Sequence, residues 1–189
     1  MSMQNKLFTS AQTIIDWSKN SEQLGLFECL ITAAHETFKD NGKIIFLGNG
    51  GSAAEASHLA GEFVGKCSKP SRALSALSLS DSSVLMTALS NDYGVEQMFV
   101  RGLEAHAGAH DLIIMLSTSG TSANIRAALE FTKIKKLKTS LWTSERFPGN
   151  PEVSNFTIIA PTKSTPRAQE LHLVLGHILA EQIEMSYLE

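Results

Sequence analysis

Thiols are scarce in this chain. Cys29 and Cys67 are the only cysteines in 189 residues, too few for a disulfide framework and too far apart for a C-x-x-C metal or redox pair. Two reduced thiols in a cytosolic protein are expected instead. Charge of one sign is also missing. The net charge is −3, and only the short KIKKLK run at 133–138 is basic, which reads as a solvated helix end. Nucleic acid is therefore not an expected partner. No apolar stretch approaches the ~20 residues that cross a bilayer. The opening MSMQNKLFTSAQTIIDW lacks a basic segment followed by an unbroken apolar one, so it does not read as a secretory signal. A soluble, cytoplasmic protein with no membrane partner is the expectation. Finally, no G-x-x-x-x-G-K-[ST] occurs, which excludes a P-loop.

What is present is a repeated alternation of strand and helix patterns. Apolar residues recur at helical spacing over 6–19 and, more strongly, over 22–39, where Leu26, Phe27, Leu30, Ile31, Ala34 and Phe38 make a stripe. Short buried strands are expected at 43–48, 73–79, 111–117, 138–143 and 155–161, with helices at 52–66, 81–89, 95–106, 122–133 and 166–187 between and after them. Five strands alternating with helices imply an α/β fold: a parallel sheet with helices on both faces, a three-layer sandwich. Residues 1–189 read as one domain, with a helical segment at 1–40 and an α/β core at 41–189. The first two helices exceed what a minimal sandwich needs. Their apolar stripes are expected to pack on another subunit in preference to the sheet.

Two turns following strands carry distinctive chemistry. The first is Gly48-Asn49-Gly50-Gly51-Ser52, and the second is Ser117-Thr118-Ser119-Gly120-Thr121-Ser122. Ligands of open α/β sheets bind at the carboxyl ends of the strands. There, glycines admit a close anion and helix-start N–H groups receive it. Hydroxyls add donors without adding charge. Serines also cap helices, but one serine suffices for a cap and the second turn has five hydroxyls. A phosphate monoester on a small metabolite is the expected ligand. A dinucleotide would want an acid about 20 positions after the first turn; Asp81 stands about 30 positions on, so no nucleotide cofactor is expected.

On the helix after the first turn, His58 and Glu62 are four apart and so share a face. Such a pair can bind a divalent metal or act as acid and base, although a surface hydrogen bond is the commoner outcome. Gln169 and His177, with His172 between them, lie on the last helix eight residues apart, or about 12 Å along its axis. Nothing in the spacing brings the two helices together.

Together, GNGGSAAEASHLAGEFVGK, LSNDYG, STSGTSANI and RAQELHLVLGHILAEQIE resemble the sugar isomerase (SIS) domain and, within it, the phosphoheptose isomerase family, over essentially the whole chain. The resemblance implies an SIS-type sandwich that isomerises sedoheptulose 7-phosphate to D-glycero-D-manno-heptose 7-phosphate for lipopolysaccharide or capsule glycans. It implies a substrate turn at Asn49, Gly50, Gly51 and Ser52, an Asn-Asp pair at Asn91 and Asp92, and a phosphate loop at Ser117, Thr118, Ser119 and Ser122. It also implies a general base at Glu62 and a catalytic histidine at His177. Zinc would be held by His58, Glu62, Gln169 and His177, with Glu62 and Gln169 also touching substrate. Members of the family form homotetramers through their leading helices. The chain departs from the family at Lys66 (usually arginine), Thr121 (asparagine), Pro166 (often aspartate) and SERFPGNP at 144–151 (a glycine-rich turn). Two other readings stand beside this one. One is an SIS isomerase of another phosphosugar. The other is a non-catalytic SIS protein of the replication initiator-associating type, which lacks the glutamate and histidine found here at Glu62 and His177.

Overall fold

The computed structural model describes residues 2–188. Two helices, α1 (Met3–Ser18) and α2 (Ser21–Lys39), precede β1 (Ile44–Gly48), α3 (Gly51–Val64), β2 (Ala76–Ser78), α4 (Ser83–Tyr93), α5 (Met98–His106), β3 (Leu112–Leu116), α6 (Ala123–Lys135), β4 (Lys138–Ser144), β5 (Phe156–Ala160) and α7 (Thr165–Glu184). The five strands form one sheet in the order β2-β1-β3-β4-β5, and every neighbouring pair is parallel. Strand β1 runs alongside β3 with Gly48 opposite Leu116, which sets the two serine turns side by side at one edge of the molecule. The topology reverses between β1 and β3, the usual place for a ligand crevice.

Side chains alternate between the two faces of the sheet. Phe46, Ile114, Leu116, Trp142 and Ile158 pack with α1, α2, α3 and α7 on one side. Ile45, Leu47, Ile113, Met115 and Leu141 pack with α5 and α6 on the other. The strands are apolar on both faces because helices cover both. None of the described helices is long and apolar enough to cross a membrane.

Four details correct the sequence expectations. The α2 stripe is spent on the sheet: Phe27, Leu30, Ala34 and Phe38 are buried in the same core as the strands, so that stripe is not free for a partner subunit. Helix α1 leaves large apolar side chains in solvent at Met3, Leu7, Phe8 and Ile15, whereas α2 leaves Leu24. Strand β2 is shorter than 73–79 because it is an edge strand that pairs only with β1. Helix α4 continues through Asn91 and Asp92 to Tyr93 and stops at Gly94, whose φ of 85° suits glycine alone. Lys66 lies just past α3, beyond its Gly65 cap.

The packing of α3 on α7 positions the site. Gly176 permits a close approach, since a Cβ there would collide with the Leu59 side chain. Below this crossing, the Glu184 carboxylate at the end of α7 accepts the backbone N–H groups of Cys67 and Lys69 at 3.0 and 2.9 Å. These bonds hold the Glu184 carboxyl below the ordinary carboxylate range against the opposing effect of its burial. They tie the loop after α3 to the last helix.

Candidate active site

Because Leu59 meets Gly176, their sequence neighbours His58 and His177 face each other. The two Nε2 atoms lie 2.7 Å apart, one donating to the other, and the rings meet edge to face with centroids 5.0 Å apart. One turn along α3, Glu62 places a carboxylate oxygen 3.3 Å from His58 Nε2. The three donor atoms of His58, Glu62 and His177 lie within 4.8 Å of one another. Two imidazole nitrogens and a carboxylate oxygen converging so closely are a set suited to zinc, and equally to proton transfer. Cys67 stands beside them. Burial, then the neighbouring carboxylates with Glu62 first, push its thiol up to about 12, so it remains protonated.

Gln169 sits two turns up α7, against the start of α3. Its amide fills the place a Cβ on Gly51 would take and lies 3.5 Å from the Ser52 hydroxyl, which accepts from it. Glycine at 51 is thus what lets Gln169 lie over the substrate turn. Gln169 and His58 share a cleft of about 500 Å³ with Gly51, Glu55, Pro166 and Glu170. The expected ligand set is therefore brought together at His58, Glu62 and His177, with Gln169 in the adjoining cleft. His172 takes no part. It is fully buried, it donates from Nε2 to the Thr143 carbonyl at 3.0 Å, and burial lowers its pKa to about 4.

At the first turn, Gly48 must be glycine: a Cβ would stand 2.6 Å from the Ser52 carbonyl and 2.9 Å from that of Leu116. Gly50 begins α3 at φ 56°. Helices α1, α2 and α4 are each capped by a side-chain oxygen, from Ser2, Asn20 and Ser82. Helices α3, α6 and α7 have no such bond. No N-cap side chain covers their first N–H groups where the strands end, and in α6 the Ile125 N–H is taken by Asn124 instead, so the serines of the second turn are not there as caps. Within that turn, Ser117 Oγ accepts the Gly120 N–H and Ser119 Oγ accepts from Thr121. Ser144 donates to the Thr118 carbonyl at 2.5 Å. Phe147, from the unusual SERFPGNP segment, packs on Gly120 where a Cβ would otherwise stand. Ser122 opens α6 without a side-chain hydrogen bond to it.

Asn91 and Asp92 are not brought into this constellation. They are exposed on the last turn of α4, and the Asn91 amide donates to Asp92 at 2.9 Å. Asp81 accepts from the Ser57 hydroxyl on α3.

Sequence reasoning passed over two residues. Glu55 is 4% exposed, and among the described residues neither of its carboxyl oxygens has a hydrogen-bond partner. Burial raises its pKa to about 7; the Ser52 hydroxyl, outside hydrogen-bond geometry, offsets part of this. It precedes His58 and Glu62 by three and seven residues, the spacing of a single helix face, and that signal was legible. Asn124 is the other; it stands within STSGTSANI, but nothing in that stretch singled it out from the hydroxyl residues.

The chain matches the SIS domain over residues 11–143. Phosphoheptose isomerase of Aneurinibacillus thermoaerophilus is 40% identical over 87% of this chain and 83% of its own length. The chain belongs to the phosphoheptose isomerase family of SIS-domain proteins. A second relative, phosphoheptose isomerase of Helicobacter pylori (strain ATCC 700392 / 26695), is 39% identical, with 86% of each chain covered. Among solved structures, phosphoheptose isomerase of Neisseria gonorrhoeae superposes with a TM-score of 0.82 at 26% identity, covering 97% of this chain and 100% of that one. The SIS-type sandwich expected from the motifs is therefore the family's fold.

Proposed function

We propose that the chain is an aldose–ketose isomerase that converts sedoheptulose 7-phosphate to D-glycero-D-manno-heptose 7-phosphate through an enediol. The observation that carries this reading is the meeting of Glu62 with His58 and His177 across α3 and α7. A protein that only bound a partner would have no use for an acid–base pair at the mouth of a phosphosugar cleft. The phosphate is gripped by Ser117, Thr118, Ser119 and Ser122 together with the N–H groups of the very start of α6, ahead of Ile125. The remote binding energy of that end orients the reacting end. The turn Asn49–Ser52 and Gln169 hold the sugar chain. Glu62 removes the proton from the carbon next to the carbonyl, and His177 supplies a proton to the sugar oxygen. Asn91 and Asp92 remain proposed substrate contacts only if a neighbouring subunit carries them to the cleft.

His58, Glu62 and His177 fit zinc by donor type and mutual distance, and Gln169 is the proposed fourth ligand from the adjoining cleft. When bound, zinc supplies a Lewis acid at the sugar oxygens. Elemental analysis of purified wild type should find about one zinc per chain, lost in His58→Ala. Absence of zinc, with turnover unchanged by chelation, would remove it from this reading. Assembly is proposed to be a homotetramer. The exposed Leu7 and Phe8 of α1 support a subunit contact there, and a cytoplasmic location accords with two free thiols. Turnover of sedoheptulose 7-phosphate by the purified chain tests the function. Inactivity on that sugar with activity on another phosphosugar would keep the reaction and change the substrate; inactivity on all would remove the reaction.

A further inference from the structure

We propose that Asn124 is a positioning residue: its buried amide, bonded reciprocally to Asn49, holds the substrate turn in register with the phosphate loop. The inference rests on the isomerase reading of those two turns. Asn124 is 4% exposed, on the first turn of α6, immediately after the serine loop. Its Oδ1 accepts the backbone N–H of Ile125 at 3.0 Å, which fixes which end of the amide is oxygen. Its Nδ2 must then face outward, and it donates to Asn49 Oδ1 at 2.8 Å, while Asn49 Nδ2 donates to Asn124 Oδ1 at 2.9 Å. A contact of 3.2 Å from the same Nδ2 to Met98 Sδ on α5 completes the surroundings.

The paired amides form a closed ring between two loops that share no other side-chain hydrogen bond among the described residues. The loops follow β1 and β3, adjacent strands that are in register only as far as Gly48 and Leu116. Beyond that point the backbone ladder ends, and the amide ring is what continues it. The pairing also revises the part Asn49 plays. Its oxygen and one of its two N–H groups are engaged by Asn124, so the side chain has one N–H to offer a ligand. What the turn chiefly presents is backbone. A substrate that must reach from the serine loop to Glu62 depends on the spacing of the two turns. An inorganic phosphate, which needs the serine loop alone, does not.

That difference supplies the test. Asn124→Ala, Asn49→Ala and the double variant are compared with wild type for turnover of sedoheptulose 7-phosphate and for competitive inhibition by inorganic phosphate. Each single variant should lower kcat/KM at least tenfold, and the double should fall no more than threefold below the worse single, because Asn124 acts through Asn49. The inhibition constant of phosphate should stay within twofold. The inference is overturned if Asn124→Ala matches wild type, if the two losses multiply, or if phosphate inhibition weakens in parallel, which would mark a merely structural role. Asn124→Asp keeps the shape and the acceptor for Ile125 while removing the donor to Asn49. It should show the same split if the alanine variant does not fold. If wild type turns over no phosphosugar, the isomerase reading fails separately. Calorimetric titration with sedoheptulose 7-phosphate then decides: binding at least tenfold weaker in Asn124→Ala than in wild type sustains the inference, and equal binding or none by wild type overturns it.

Discussion

Glu62→Gln should lower kcat for sedoheptulose 7-phosphate by about 10²–10⁴-fold, the range a positioned proton-transfer group contributes, with KM changed far less. The amide keeps the shape of the side chain and its place beside His58 but cannot accept the carbon-bound proton. Its partner lies across the helix pair. His177→Ala should produce a loss of similar size, and the double variant should be little worse than either single, because base and acid serve one proton relay and lose it together. The 2.7 Å separation of the two imidazole nitrogens and the 3.3 Å approach of Glu62 make them one unit. Steady-state kinetics on the four proteins checks this. Losses that multiply, or a Glu62→Gln variant within tenfold of wild type, would assign the base elsewhere.

The second large effect concerns stability. Glu55 carries a folded-state pKa of about 7 against an ordinary value of 4.5, because its carboxyl is buried without a partner. An acid whose pKa rises on folding stabilises the folded chain while protonated, and that contribution is lost as pH climbs through the folded value. Raising the carboxyl from 4.5 to about 7 corresponds to about 3.5 kcal/mol in all, at about 1.4 kcal/mol for each tenfold change in acidity. His172 works in the opposite sense: its pKa is lowered to about 4 from 6.5, so stability is lost as pH falls through that interval. The effect of Glu55 is therefore read as a difference between proteins that share His172. Between pH 5 and pH 8, metal-free wild type should lose about 2.5 kcal/mol relative to Glu55→Gln in urea unfolding, the rest being lost already below pH 5. Stability curves that run parallel across this range would show that the Glu55 carboxyl finds a partner in solution.

The helices and strands were legible because their apolar patterns are strong. All five strands of the sheet lie where buried runs such as KIIFLG and DLIIMLS stand, and the parallel order follows from the helices between them. The two turns were legible because hydroxyls and glycines follow directly on strands. The meeting of α3 with α7 was not legible from periodicity. It depends on Gly176, a residue whose importance lies in the atoms it lacks and which shows only against Leu59. The fate of the α2 stripe was misjudged for a related reason. An amphipathic face announces that it will be buried but does not say by what, and here the sheet covers it. Asn124 escaped notice because an asparagine near a helix start ordinarily reads as a local cap, whereas its partner lies 75 residues away. Asn91 and Asp92 entered through family resemblance alone, and among the described residues their side chains hydrogen-bond to each other and not to the cleft.

As an isomerase site, this cleft moves a proton between the first two carbons of a ketose phosphate. Incubation of the purified, unmodified protein with sedoheptulose 7-phosphate in D2O, followed by NMR, tests it most directly. An enediol formed here gives an aldose 7-phosphate carrying deuterium at C2, with solvent deuterium also appearing at C1 of the recovered ketose. Unchanged, unlabelled ketose after prolonged incubation with zinc-supplemented protein would contradict it.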